Sequence, residues 1–139
     1  MLIEIMLILF VSIIAYSLDI SSSPKGYYKS CEKNIKIQLL QLSHHFLNIF
    51  VQFAWLSNDK RILYIYAFTP LLVLLHWITN RGNCIVSTTV NKFCKIDGYD
   101  FRELFHVVEF DKYKHFSTIR YIYVLVAWMI AIHKIRTLP

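Results

Sequence analysis

The apolar residues of this chain come in blocks, and residues 2–18 form the most extreme block. Its only charge is Glu4, near one end, and Asp19 closes the other. A helix folding in water keeps a polar face, and this stretch shows none. A bilayer-crossing helix needs about 20 mostly apolar residues, and the block is close to that length. A cleaved signal peptide would carry a basic start and a small-residue cleavage site. Here no Lys or Arg precedes the block, and Ala15-Tyr16-Ser17 is a poor cleavage match. The expectation is an uncleaved membrane helix.

Three further blocks follow, over residues 37–56, 61–79 and 116–132. The third span contains Pro70, which membrane helices tolerate because neighbouring helices and Thr hydroxyls satisfy the carbonyl it frees; a kink is expected there. In the fourth, Arg120 leaves only residues 121–132 free of charge, so it spans only if Arg120 snorkels to the interface. Charged residues make up 17% of the chain and hydrophobic ones 56%, against roughly 25% charged in a soluble domain. The fold expected is all-α: one integral membrane domain over residues 1–139, built as a four-helix bundle. A soluble all-α bundle of very apolar helices is the alternative, since the mean hydropathy of +0.44 is modest for a multi-span chain.

The formal charge of +6 reads mainly as an orientation signal. Lys25, Lys29, Lys33, Lys36, Arg81, Lys92, Lys95, Arg102, Lys112, Lys114 and Arg120 lie on one side of the spans, and only Lys60, Arg61, Lys134 and Arg136 on the other. Lys and Arg favour the cytoplasmic or matrix-like side, which places both termini opposite the basic loops. No basic cluster with interleaved stacking aromatics is present, so nucleic acid is not expected as a partner. Trp55, Trp77, Tyr64, Tyr27 and Tyr28 fall near span ends and suit an interfacial aromatic belt. Trp128 does not, and is expected to pack on a neighbouring helix.

The inner loop, residues 80–115, is too charged to span. Residues 85–90 read as loop. After Gly98, Phe101, Leu104, Phe105 and Val108 recur at helical spacing. They form a short amphipathic helix that suits a membrane surface, a partner protein or this chain's own loop.

Span two carries the most regular polar pattern. Gln38, Gln41, His45, Asn48 and Gln52 are spaced 3, 4, 3 and 4 and share one arc of a helix. Such a stripe faces other helices or a wet cavity rather than lipid. Interhelical hydrogen bonding, worth about 0.6 kcal/mol per contact, is preferred to a proton or solute path, because only His45 titrates in the stripe. The histidines invite a haem reading. His45 and His76 lie at different depths when counted from the inner end, so no cofactor is expected. Adjacent His44 and His45 cannot share a metal from one helix face. Cys31, Cys84 and Cys94 show no C-x-x-C spacing. On a reducing side free thiols are the default, with a Cys84–Cys94 pair left open. No phosphate loop, H-E-x-x-H or G-x-S-x-G occurs, and neither a metal site nor an enzyme is expected.

The stretch His76-Trp77-Ile78-Thr79-Asn80-Arg81-Gly82-Asn83-Cys84-Ile85-Val86-Ser87 resembles a pattern found in small multi-span membrane proteins. In these a helix ends in His-Trp, an Asn follows, and then a Cys with Ser or Thr three residues on. They occur in bacteria and have relatives among large DNA viruses. The resemblance covers about a dozen residues. The spans and the polar stripe lead to the expectation of a structural membrane subunit of a large assembly, and the resemblance makes a virion inner membrane beneath a capsid its first context. A mitochondrial inner-membrane complex is the second context, and a small transporter or proton-conducting protein the other functional class. The expected partners are the lipid bilayer and other capsid or membrane subunits.

Overall fold

Long apolar runs broken by Asn, Asp and charged residues leave the backbone one economical way to satisfy its hydrogen bonds, and each described element is helical. The computed structural model describes residues 1–22, 34–80, 84–95 and 116–139, and of Ser22, Trp77, Phe116, Ser117 and Arg120 the backbone alone. The helices are α1 (Leu2–Ser22), α2 (Ile35–Phe53), α3 (Lys60–Thr79), α4 (Ile85–Cys94) and α5 (Phe116–Thr137). The candidate helix over Phe101, Leu104, Phe105 and Val108 lies outside the described residues, as do Tyr27, Tyr28 and Cys31.

Helix boundaries follow local chemistry. Asn34 caps α2 by accepting from the Lys36 N–H at 3.1 Å. Asp59 caps α3 by accepting from the Arg61 N–H at 3.0 Å. A short 3-10 turn, Ala54–Leu56, ends the run that α2 begins. Pro70 lies inside α3, which continues through it. Proline removes the donor that the Tyr66 carbonyl would use. The carbonyls on either side receive extra donors: Thr69 Oγ1 reaches Ile65 O at 2.8 Å, and Trp128 Nε1 of α5 reaches Ala67 O at 2.9 Å.

Two expectations are corrected. Residues 85–90 form most of α4 rather than a loop. The β-branched run has low helix propensity, but Ser87, Val90 and Cys94 make a buried stripe at helical spacing. Val90 and Cys94 pack with Ile37 of α2 and Ile20 of α1, so tertiary packing decides. Asp19 does not close α1; the helix continues to Ser22 and buries it.

The core sits between the long helices, α1 against α2 and α3 against α5. Ile8, Ala15, Ile49, Phe50, Ile62, Leu63, Tyr66, Ala127 and Ala131 form its main cluster. The buried face of α1 is narrow and partly polar: Ile8, Ser12, Ala15 and Asp19. The outer faces are the opposite. Ile3, Met6 and Phe10 on α1, Ile65, Phe68, Leu72 and Ile78 on α3, and Ile119, Ile122 and Leu125 on α5 are all exposed. Among the described residues, one helix is long and apolar enough to cross a membrane by length and composition, Leu2–Ser21.

Candidate functional site

The stripe on α2 turns inward. Gln41, His45 and Gln52 are buried, and Gln38 and Asn48 are half-buried. Within it, Gln52 Nε2 donates to Asn48 Oδ1 at 2.5 Å, one turn away. The decisive contact reaches another helix. His45 Nε2 donates to Asp19 Oδ2 of α1 at 3.1 Å, and both side chains are 1% exposed. The ring of Tyr16 stands edge-on to His45, with centroids 6.1 Å apart. A buried carboxylate and imidazole therefore face each other inside the bundle. His45 is visible in the sequence as part of the stripe, but its partner is not. Asp19 had looked like a span terminus, and the only available signal was its place, at spacing 4, 3 and 4, on the seam Ile8, Ser12, Ala15 and Asp19.

A second group adjoins the pair. His44 and His45 stack edge to face, centroids 5.9 Å apart. Cys84 Sγ lies 3.5 Å from His44 Nδ1. The Ile85 N–H, at the start of α4, donates to His76 Nε2 at 3.1 Å. These contacts bring His44, His45 and His76 to one end of the bundle. The first turns of α2 run on past Asp19 to pack against α4. Among the described residues, no group of three or more His, Cys, Asp and Glu is placed to hold a metal ion.

No protein-family model, curated protein or solved structure matches this chain. Its chemistry is read from its own geometry.

The cysteines depart from the free-thiol expectation. Cys84 is free and half-buried, whereas Cys94 is in a disulfide. Cys84 and Cys94 stand at opposite ends of α4, about 15 Å apart along the axis. A disulfide spans at most about 7 Å between Cα atoms, so these two are not bonded to each other.

At the far end of the bundle the helices are tied by charge. The Met1 amine lies 3.1 Å from Glu4 and 3.3 Å from Asp59. Ser57 Oγ donates to Glu4 Oε1 at 2.9 Å. Lys134 Nζ donates to the carbonyls of Leu56, at 3.1 Å, and of Trp55 and Ser57, fixing the end of α5 on the α2–α3 turn. Trp55 Nε1 donates to the Tyr123 hydroxyl at 3.0 Å, and that hydroxyl donates to Gln52 O. Both chain termini and the α2–α3 turn therefore share one end, and α4 occupies the other.

Arg61 donates twice to Asp59, at 3.1 and 2.9 Å. Its guanidinium holds the Asp59 carboxyl well below the usual carboxylate range. A carboxyl whose folded pKa is depressed contributes stability that is complete above its unfolded value, about 4, and is lost as pH falls through the folded value. Asp59→Asn keeps a capping oxygen but loses the charge. The Tm difference between wild type and Asp59→Asn in detergent is expected to hold from pH 7 to about pH 4 and to shrink below it. A difference unchanged down to pH 2 would mean the ion pair contributes nothing.

Proposed function

We propose that this chain is a structural integral membrane subunit: a bundle whose long helices cross a bilayer and hold together through a polar interior. The observation that carries this is the inversion of polarity between surface and core. Ser12, Asp19, Gln41, His45 and Gln52 are buried, while large aliphatic side chains stand exposed along α1, α3 and α5. Each such side chain left in water forgoes about 1.5–3 kcal/mol, and a lipid solvent removes that cost. Leu2–Ser21, with only 17% of its span buried inside the protein, is the strongest single crossing helix. On this reading α2, α3 and α5 cross beside it, with α5 reaching Thr137 rather than residue 132.

The partners proposed are lipid and neighbouring subunits of a large assembly. A virion inner membrane beneath a capsid is the first context, resting on the sequence resemblance, and a mitochondrial inner-membrane complex is the second. Washing membranes with alkaline carbonate tests the core of the proposal. The chain is expected to stay in the pellet, and its release into the supernatant would overturn the reading.

One observation favours a second reading, a proton-conducting protein. The Asp19–His45 pair supplies the buried carboxylate that the α2 stripe lacked on its own. Gln41 Nε2, Gln52 Oε1 and Tyr66 Oη are buried without a hydrogen-bond partner among the described residues, and such groups commonly bind internal water. Wild-type chain in liposomes carrying a pH-sensitive dye separates the two readings. Proton flux that vanishes in His45→Leu supports conduction, and absence of flux leaves the structural role.

A further inference from the structure

We infer that Cys84 is an acyl-accepting thiol, and that His44 is the base that activates it toward a long-chain acyl thioester. The inference rests on the proposed membrane location and adds a reaction to it.

The two reacting groups are already within reach. Cys84 Sγ and His44 Nδ1 are 3.5 Å apart, a length common for a thiol–imidazole pair before substrate binds. Cys84 is free and half-buried as a residue, whereas Cys94 is closed in a disulfide. Three elements hold the pair. His44 rides on α2, Cys84 precedes the first turn of α4, and His76 at the end of α3 accepts the Ile85 N–H at 3.1 Å. The first turn of α4 closes by a Thr88 N–H bond to the Cys84 carbonyl at 3.0 Å. The sulfur is thus fixed from both sides in sequence.

Depth and surroundings select the acyl group. Fifteen residues separate Glu4 from Asp19 along α1, about 22 Å of helix at 1.5 Å per residue. The Cys84 group adjoins the Asp19–His45 layer, at the end of the apolar run of α1. Beside it the last turns of α3 and the start of α4 expose aliphatic side chains: Leu75 at 57%, Ile78 at 69% and Ile85 at 55%. A fatty chain on Cys84 would lie along that surface and continue into lipid. Cysteines beside membranes and on amphipathic helices are the usual acceptors of such chains.

The step balances without an oxidant. The Cys84 sulfur attacks the thioester carbonyl carbon while its proton passes to His44. The new S–C bond forms as the donor's C–S bond breaks, and the departing thiolate takes the proton from His44. No atom changes oxidation state.

The test uses the full chain in liposomes, incubated with palmitoyl-coenzyme A and read by intact mass and peptide mass spectrometry. The expected result is one hydroxylamine-labile palmitoyl adduct on Cys84 in the wild type, none in Cys84→Ser, and a rate at least about tenfold lower in His44→Gln, given that a positioned base commonly supplies 10²–10⁴. Circular dichroism matched to wild type shows that each variant is folded. No adduct on the wild type, an adduct on another residue, or a His44→Gln rate equal to wild type would each overturn the assignment. The wild-type measurement needs no variant, and carbonate extraction separately reports whether the membrane reading itself has failed.

Discussion

Replacing His45 with leucine is expected to destabilise the bundle by about 3–5 kcal/mol, the usual cost of removing one partner from a buried pair that includes a carboxyl. Leucine fills much of the space, so the loss is electrostatic. It removes the 3.1 Å bond that His45 makes to the Asp19 carboxylate, 1% exposed. The reverse change, Asp19→Leu, removes the buried carboxyl itself and is expected to cost less. The double variant carries neither group, and buried pairs replaced together by apolar residues are often neutral or better. It should therefore recover most of the stability lost in His45→Leu. SDS titration in mixed micelles, followed by far-UV circular dichroism, reads all of these. If the two single changes simply add in the double variant, the residues are not coupled and the contact carries no stability.

That coupling was half legible in the sequence. Gln38, Gln41, His45, Asn48 and Gln52 are visible because a 3, 4, 3, 4 spacing places them on one face whatever the rest of the fold does. Their inward orientation is what a helix in the proposed bilayer requires, since a lipid-facing polar stripe is costly. Asp19 was not legible, because its partner is 26 residues away and nothing local ties the two. The run before it looked uniformly apolar, because the polar seam of α1 is only Ser12 and Asp19, separated by Ala15.

The helices divide in the same way. The bounds of α2 and α3 were close to readable, because Asn34 and Asp59 are strong capping residues. The helix α4 was hidden by its Ile, Val and Thr content, which argues against helix locally. Its evidence lies in the contact of Val90 and Cys94 with Ile37. The approach of Cys84 to His44 was hidden for a related reason: it exists only once α4 folds back on α2. The disulfide at Cys94 likewise depends on side-chain proximity that spacing does not encode.

Ala131→Leu is expected to cost about 1–3 kcal/mol or more, the range for forcing extra methylenes into a filled core. Ala127 and Ala131 lie one turn apart on α5 at 1% and 0% exposure, and Ile62, Leu63 and Tyr66 of α3 belong to the same cluster at 2%, 0% and 0%. If α3 and α5 cross a bilayer as proposed, no hydrophobic force holds a loosened contact there, and close approach through small residues carries the association. A larger side chain at residue 131 has to push α5 away from α3. That also strains the Trp128 bond to Ala67 O and the Lys134 grip on the α2–α3 turn, which flank the contact in sequence. Leu63→Ala alone opens a cavity and is expected to cost about 2–5 kcal/mol. Combined with Ala131→Leu it returns volume to the same cluster, and the pair should cost less than the two changes summed. The same SDS titration measures each midpoint. Strict additivity would show that α5 does not dock on α3 through this seam, and the bundle would then have to be held by its polar ends alone.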